Sequence, residues 1–315
     1  MKRTMLLALV MTLAVLLMPG FASAYYNPTV GRWITRDPIG YADGTSQYAY
    51  CSSRPALEVD PTGRNGVNWA EVVGHKPPPV DEIEANYRKA IQAVRDKGNP
   101  EYSVMADNLE YFMSGAGGVK NLPAAWLRSW PSVKEAEDKN EKRFIDDPKM
   151  SIATRCAQIQ DGKTETFEDY WDAAISADYR KETGLYYASG NSTLRSRGTF
   201  SIAKYGGTCC VSGEVEHHWY DMYAWSEGAF VPNLATGGLL YDDDAIALEK
   251  AGKAKSFLME SYWHRQIGAT NYSGKWVWGG PDIKEGKSEI QFAAHPFSNA
   301  FLKKYGLTKD GTPSK

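Results

Sequence analysis

The chain has 315 residues, of which 43% are hydrophobic and 12% aromatic, and its formal net charge is −2 at pH 7. This length and composition suffice for a sizeable core and for one to three domains. The near-neutral balance provides neither the basic surface expected of a nucleic-acid-binding protein nor a cationic face for an anionic membrane.

The first 24 residues have the layout of a secretory signal peptide. Lys2 and Arg3 form a basic start, an apolar run follows over residues 5–17, and Ala22-Ser23-Ala24 comes after a Pro-Gly break. This layout predicts cleavage after Ala24. The apolar run is too short for a membrane anchor, which needs about 20 residues. We therefore expect an exported protein, periplasmic or extracellular, with no transmembrane anchor after cleavage.

Residues 25–64 alternate aromatic or aliphatic residues with Asn-Pro, Asp-Pro and Gly turn signals, which predicts short strands joined by tight turns. The stretches GRWITRDPIGY and YAYCSSRPALEVDPTGR resemble, in order and spacing, the C-terminal end of the RHS repeat-associated core of large secreted bacterial proteins. In that family the core ends at an Asp-Pro-x-Gly motif, beyond which a variable effector domain begins. Asp60, Pro61 and Gly63 stand at this junction.

Two departures limit what the RHS resemblance implies. In the family a leucine usually follows the glycine of the junction motif, and the protein cleaves itself there. This chain has Arg64 at that position. Only about 40 residues of core are present, and a single repeat cannot bury its own face. We therefore expect neither self-cleavage nor a shell around a cargo.

A stiff linker at 65–80, ending in HKPPPVD, separates this segment from a helical region at 81–183. Apolar residues follow the helical period over 81–97, where Asp81 is placed to cap the helix, and again over 102–113.

Two more helices are predicted farther along the helical region. Ser132 and Glu135 have the spacing of a capping box for a short charged helix. Phe167, Trp171 and Ile175 predict another helix over 165–181.

The pattern changes after Gly184. TLRSRGTFSIAKYGG and TCCVSGEVEHHWYDMYAW predict two strands joined at Gly206-Gly207. An acid-capped helix starting near Asp243 or Asp244 follows, and further strands are predicted around 276–278 and 290–292. The expected fold class is α+β, with the helical region followed by a twisted antiparallel sheet domain at 184–315.

The cysteines belong to an oxidising compartment if the chain is exported. Cys209 and Cys210 are neighbours in a predicted strand, so their side chains should point to opposite faces and a bridge between them would be strained. One of them pairs with Cys156 in one interpretation, and the thiols are free and buried in the other.

The second predicted strand carries a reactive set of side chains. If it continues to residue 225, His217, Asp221, Tyr223 and Trp225 share one face. A histidine, a carboxylate and a phenol can hold a metal-bound water or act as acid and base on a phosphate ester. In the alternative interpretation, Asp221 closes a turn and the rings pack into the core.

The stretch GTFSIAKYGGTCCVSGEVEHHWYDMYAW, followed by a glycine-rich turn and ALEKAGKAKSF, resembles the catalytic end of the colicin M family. These bacteriocins act in the periplasm, where they use Mg²⁺ to hydrolyse the lipid-linked peptidoglycan precursor between undecaprenyl chain and pyrophosphate. Their reactive motif has the form Asp-x-Tyr-Asp-aromatic. Asp221 and Tyr223 match it, and Trp225 fills the aromatic position.

The resemblance implies that Asp221 acts as metal ligand or base and that Tyr223 orients the phosphate. Ala224 stands where the family has its second aspartate, and the His-Arg pair that follows the motif is missing. The chain's His264-Arg265 lies much farther along. An absent general base costs roughly 10²–10⁴ in rate.

Three substitutes for the missing groups are conceivable: His217 on the face of Asp221, Glu227 in the turn, or one of Asp242–Asp244. The three aspartates have a second interpretation as a helix cap.

We therefore expect an exported, RHS-associated, toxin-like effector. Its activity would be that of a Mg²⁺-dependent hydrolase of lipid-linked peptidoglycan precursor (a lipid II phosphodiesterase). The alternative, which Ala224 favours, is a non-catalytic protein that binds an envelope ligand. Under either hypothesis, the expected partners of the protein are the lipid-linked precursor or another envelope ligand, together with an immunity protein.

Overall fold

The computed structural model describes most of the chain after residue 74. The described residues are 26–27, 32–33, 58–59, 67–68, 75–178, 180–233, 239–272, 274–280, 283–288, 299–304 and 307. The chain divides into two compact units, Met1–Lys76 and Pro77–Lys315.

Two antiparallel pairs of short strands are described in the first unit. They are β1 (Tyr26–Asn27) with β2 (Arg32–Trp33), and β3 (Glu58–Val59) with β4 (Val67–Asn68). The predicted signal peptide at 1–24 and the junction residues Asp60, Pro61 and Gly63 lie outside the described residues.

The described part of the second unit contains eight helices and nine strands. The helices are α1 (Val80–Asp96), α2 (Pro100–Met113), α3 (Ala124–Arg128), α4 (Pro131–Asp146), α5 (Ile152–Gln158), α6 (Thr183–Ala188), α7 (Asp242–Lys250) and α8 (Asn299–Lys304). The strands are β5 (Val119–Asn121), β6 (Thr164–Ser176), β7 (Asn191–Tyr205), β8 (Thr208–Tyr223), β9 (Phe230–Pro232), β10 (Leu239–Tyr241), β11 (Phe257–Tyr272), β12 (Lys275–Gly279) and β13 (Lys284–Glu285).

A seven-stranded sheet organises this unit. Its order is β12-β11-β8-β7-β6, and β5 and β13 also pair with β11. All of these pairs are antiparallel except that of β5 with β11. The fold is therefore mixed α/β with a large, mostly antiparallel sheet, in agreement with the expected α+β class.

The predicted hairpin at Gly206-Gly207 is confirmed as the β7–β8 turn. Tyr205 pairs with Thr208 across it, and the two glycines have φ values of 57° and 79°. Residues with a Cβ atom rarely adopt such angles, and two positive values in a two-residue loop are typical of a type I′ turn. The glycine pair therefore sets the register of the whole hairpin.

The predicted helix at 165–181 is wrong, because most of this stretch forms strand β6. Thirteen residues of β6 pair with β7, and along the strand exposed positions alternate with buried or partly buried ones from Glu168 onward. Phe167, Trp171 and Ile175 are spaced four apart, which places them on one side of a helix and equally on one face of a strand. The β-branched and aromatic residues of the stretch favour the strand.

The helices predicted at 81–97 and 102–113 are confirmed as α1 and α2. The residues expected to face the core from α1 are all buried: Ile83, Tyr87, Ala90, Ile91 and Val94.

The caps predicted at Asp81 and at Ser132 with Glu135 are wrong. Both helices begin earlier, after Pro79 and at Pro131, and neither has a side-chain cap. Proline suits a helix start because its φ angle is close to the helical value. The N–H that proline lacks would have no hydrogen-bond partner within the helix at that position.

Helices and sheet pack together through separate clusters of buried apolar residues. Phe112 of α2 belongs to the same buried cluster as Trp219 of β8 and Trp263 of β11. A second cluster joins Phe144 of α4 to Phe200 of β7. Within the described residues, no helix is both long and apolar enough to cross a membrane.

A disulfide joins Cys156 of α5 to Cys209 of β8, one of the two pairings considered from the sequence. Cys210 is a free, exposed thiol, whereas Cys209 is fully buried. The two neighbours therefore face opposite sides of the sheet, as strand geometry requires.

Candidate functional site

A cavity of about 310 Å³ lies at the end of β8 that carries Asp221. Helices α1 and α2 form one side of it, and residues 186–191 and 221–225 form another. The described residues that line it are mostly apolar or aromatic, and they include two acidic side chains, Asp221 and Asp242, and no lysine, arginine or histidine. Cavities of this size and composition are typical of sites for small apolar ligands.

Aromatic packing holds the motif residues in the cavity wall. The Tyr223 ring stacks on Phe257 at a centroid distance of 4.9 Å and meets Trp225 edge-on at 5.3 Å. Trp225 also packs edge-on against Phe112 at 5.2 Å. Because edge-on and offset pairs stabilise beyond their area alone, the chain keeps its position after β8 ends.

Asp221 is the polar centre of this wall. Its Oδ2 accepts a hydrogen bond from the Ser189 hydroxyl at 3.0 Å, and its Oδ1 accepts one from the Met222 N–H at 2.8 Å. Burial raises the pKa of Asp221 to about 8, and these two hydrogen bonds, which lower it, do not offset the effect of burial. The carboxyl group is therefore mostly neutral at pH 7.

Asp242 is the second carboxyl group of the cavity. Burial and the neighbouring charge of Asp243 raise its pKa, while the hydrogen bond from the Ser226 N–H, at 2.9 Å, lowers it. Asp243 accepts a longer bond of 3.2 Å from the Gly228 N–H. The first two aspartates of α7 thus tie the 226–228 turn to the helix, and neither is its N-cap, which is Tyr241.

Two of the phenols that line the cavity, those of Tyr87 and Tyr223, are neutral. Burial raises the pKa of Tyr87 and of Tyr223 above the ordinary value of 10. Nearby carboxylates act in the same direction on both. Each phenol is therefore a neutral hydrogen-bonding group at physiological pH.

The structure brings only some of the predicted site residues together. Asp221, Tyr223 and Trp225 line the cavity, as does Ala224, and Asp242 is the one conceivable substitute for the missing carboxylate that lies there too. Glu227 instead lines a separate pocket beside α7.

His264 and Arg265 do not reach the motif. His264 pairs with Glu216 across β8 and β11, five residues along the strand from Asp221. The Arg265 guanidinium contacts Glu141 of α4.

His217 is fully buried away from the cavity. Its Nδ1 contacts the Ser196 hydroxyl at 2.7 Å, and its Nε2 contacts Glu141 Oε1 at 3.3 Å and Glu137 Oε1 at 4.0 Å. Burial acts to raise the pKa of Glu141, but His217, Arg265 and Trp278 outweigh it and hold that pKa below the usual value. His217 and Asp221 therefore share a strand face but belong to different side-chain clusters.

Sequence reasoning missed Ser189, Glu137 and Glu141. Ser189 lies 32 residues before Asp221, and no local pattern marks it. The hairpin register offered a usable signal, because Thr193 pairs with Tyr220 and residues just before Thr193 must lie near Asp221. The two glutamates lie on α4, 76 or more residues from His217, where they looked like an ordinary charged helix face.

No protein family and no solved structure matches the chain. Three curated proteins are similar over parts of it. The chain is 31% identical over 112 residues to YibJ of Escherichia coli (strain K12), a stretch that covers 33% of this chain and 46% of YibJ.

The other two similar proteins are toxins. The identity is 46% over 39 residues with the toxin protein Tse5 of Pseudomonas aeruginosa and 35% over 48 residues with the toxin subunit YenC2 of Yersinia entomophaga. These stretches cover 12% and 15% of this chain, and 3% and 5% of the respective toxins. The chain thus spans less than half the length of each protein it matches.

Proposed function

We propose that the second unit is a toxin-like effector domain whose cavity binds the apolar portion of a cell-envelope ligand. The observation that carries this proposal is the cavity itself, an apolar and aromatic space with a mostly neutral carboxyl group in its wall. Burying an apolar chain there is favourable by about 25 cal/mol per Å² removed from water.

The cavity chemistry favours a neutral ligand over a free anion. A pyrophosphate carries several negative charges, and the described lining of the cavity contains no lysine, arginine or histidine that could offset them. A hydroxyl or amide group could instead exchange hydrogen bonds with the neutral Asp221 carboxyl and the Tyr223 phenol. A neutral isoprenoid alcohol is a simple probe with this chemistry.

Export and RHS association are part of the same proposal. The N-terminal pattern favours a signal peptide, and the short stretches shared with two toxin proteins favour an effector role. Disulfides are typical of proteins outside the cytoplasm, so the Cys156–Cys209 bond supports a periplasmic or extracellular location. An immunity protein is a partner expected on the same grounds.

Calorimetry with farnesol tests the binding proposal. We expect wild-type protein to bind farnesol, and Met105→Trp to weaken binding at least tenfold because Met105 lines the cavity. Met150→Trp is the matched control, since Met150 is 46% exposed and does not line the cavity. No farnesol binding, or equal binding by the Met105 variant, would contradict the proposal.

Hydrolysis of lipid-linked peptidoglycan precursor is the second candidate function. The observation that favours it is the presence of Asp242 in the cavity that contains Asp221 and Ala224, because Asp242 could replace the aspartate missing from position 224. Asp221 and Asp242 would hold Mg²⁺, which would offset the charge of the pyrophosphate. Tyr223 would orient the phosphate by hydrogen bonding.

Release of polyprenol from lipid-linked precursor, in the presence of Mg²⁺, tests this second function. We expect Asp221→Asn and Asp242→Asn each to lower the rate at least a hundredfold, and Ala224→Asp to raise it, since that change restores the carboxylate of the family motif. If wild-type and Ala224→Asp proteins both release no polyprenol while farnesol still binds, the non-catalytic function stands and hydrolysis does not.

A further inference from the structure

A second cluster of potential ligands lies between α4 and the sheet, away from the cavity. Glu137 and Glu141 are one helical turn apart on α4, and His217 faces them from β8. One ligand atom from each residue lies within 4.8 Å of the other two, and all three residues are buried. Helical spacing places the two carboxylates on one face, so the backbone preorganises the set.

The separations within this cluster suit a coordination sphere. His217 Nε2 lies 3.3 Å from Glu141 Oε1 and 4.0 Å from Glu137 Oε1. Zinc–nitrogen and zinc–oxygen distances near 2.1 Å place adjacent ligand atoms about 3.0–3.5 Å apart. The separation between His217 and Glu141 already fits. The separation between His217 and Glu137 needs a contraction of under about 1 Å, which a change in the glutamate side-chain conformation could supply.

Each of the three side chains is oriented by a partner on its far side. His217 Nδ1 contacts the Ser196 hydroxyl at 2.7 Å. Glu141 Oε2 accepts from Arg265 and, at 3.0 Å, from Trp278 Nε1. Glu137 Oε2 accepts from Arg128 Nε at 2.9 Å.

Partners of this kind are typical of metal centres, where they fix the ring tautomer and aim the ligand atoms. In His217 and Glu141 the contacts on the far atom leave the near atom directed at the cluster, whereas Glu137 Oε1 also accepts a hydrogen bond from Arg128 Nη2 at 3.3 Å. A hydrogen bond from Nδ1–H to Ser196 would free the Nε2 lone pair for a metal ion.

Asn140 gives a second observation that points to a ligand. It is fully buried on α4, between the two glutamates in sequence, and its Nδ2 donates to the Ser196 hydroxyl at 3.0 Å. Within the described part of the chain, its Oδ1 has no hydrogen-bond partner. A buried acceptor without a partner is unfavourable, so this oxygen is a group that a bound ion or water would satisfy.

From these contacts we propose that Glu137, Glu141 and His217 form a binding site for a transition-metal dication of the Zn²⁺ class. An imidazole with two carboxylates suits Zn²⁺, whereas Mg²⁺ prefers oxygen ligands alone. The arrangement of three protein ligands leaves a coordination position for water or a small anion. Arg128 and Arg265, beside the carboxylates, would favour an anion there.

Zinc titration of the full-length protein tests the site. The protein is treated with a chelator and dialysed, and Zn²⁺ affinity is then measured by competition with a chromophoric chelator. We expect one Zn²⁺ per chain, and an affinity at least tenfold weaker in Glu137→Gln and in Glu141→Gln. Binding of no Zn²⁺ by wild-type protein, or equal binding by the glutamine variants, would overturn the proposal.

Glu260→Gln is the matched control. Glu260 pairs with a second buried histidine, His218, at 2.9 Å on the opposite face of β8. Among the described residues, neither belongs to a group of three potential metal ligands. We expect this variant to bind Zn²⁺ like wild type. Cys210→Ser should also bind normally, and loss of Zn²⁺ binding in that variant would assign the metal to the exposed thiol and overturn the site.

A spectroscopic measurement on wild-type protein decides the question if the glutamine variants fail to fold, as judged by near-UV circular dichroism. X-ray absorption of the zinc-loaded protein should show one imidazole with oxygen ligands and no sulfur. A sulfur ligand, or a sphere without imidazole, would overturn the proposal.

Discussion

The Ser189 hydroxyl donates a hydrogen bond to Asp221 Oδ2 across 32 residues of chain, at the junction of α6 and β7 with the end of β8. This bond favours the charged form of a carboxyl group whose burial favours the neutral form. The balance between the two sets the protonation state of Asp221.

Replacing Ser189 with alanine should raise the pKa of Asp221 above its value of about 8. The reason is that the hydroxyl stabilises the carboxylate, and its removal leaves burial less opposed. A pH titration followed by infrared or carbon NMR spectroscopy of the carboxyl group measures the change. Ser103→Ala is the control, because Ser103 is exposed on α2 and its hydroxyl donates to the Pro100 carbonyl of the same helix. An unchanged or lower pKa in the Ser189 variant would contradict the assignment.

The substitution Asp221→Asn should increase the free energy of unfolding more at pH 8 than at pH 5. The folded pKa of about 8 lies above the ordinary 3.8, so the folded state retains a proton that the unfolded state releases. Wild-type stability from this group is therefore full below about pH 4 and falls as the pH rises towards 8. Asparagine removes that dependence, and we expect a gain of about 1–3 kcal/mol at pH 8.

Urea unfolding at pH 5 and pH 8 measures the stability difference. Asp107→Asn serves as the control, since the Asp107 side chain is 52% exposed. A stabilisation by Asp221→Asn that is larger at pH 5 than at pH 8 would show that the sign is wrong.

Farnesol binding should weaken as the pH rises through about 8. Ionised Asp221 would require water that an apolar ligand displaces, so binding and ionisation oppose each other. Asp221→Asn should bind farnesol with the same affinity from pH 6 to pH 9. Calorimetry at four pH values checks this, and a parallel decline in both proteins would place the titrating group elsewhere.

Reducing the Cys156–Cys209 bond should destabilise the second unit by about 4 kcal/mol, because the bond closes a loop with a sequence separation of 53. Urea unfolding with and without dithiothreitol measures this loss. Cys209→Ser should match the reduced protein, and Cys210→Ser should match the oxidised wild type. Equal stability with and without reductant would contradict the role of the bond.

Gly213→Ala should cost about 1–3 kcal/mol of stability through overpacking. A Cβ atom at this position in β8 would lie 2.2 Å from the Thr199 carbonyl oxygen and 2.7 Å from the Phe200 ring. Gly279→Ala in β12 is the matched control, because nothing lies within 4 Å of its added atom. Thermal unfolding compares the two, and a Gly213 variant as stable as the Gly279 variant would contradict the packing.

Local patterns predicted α1, α2, the β7–β8 hairpin and the faces of β8 correctly. Each depends on spacing within a few residues, such as the apolar period of α1 or the glycine pair at the turn. The same kind of evidence failed for β6, where residues spaced four apart fit helix and strand equally. Only pairing with β7 along thirteen positions decided that case.

The sequence by itself predicted that Asp221 and Tyr223 share one face at the end of a long strand, and the structure places Trp225 just after that strand ends. The tertiary structure alone decided that Ser189 and Asp242 share a cavity with them, whereas His217 belongs to Glu137 and Glu141. The physical reason is that a side chain's chemistry depends on which groups and how much water surround it. Those neighbours come from segments tens of residues away, which no local periodicity encodes.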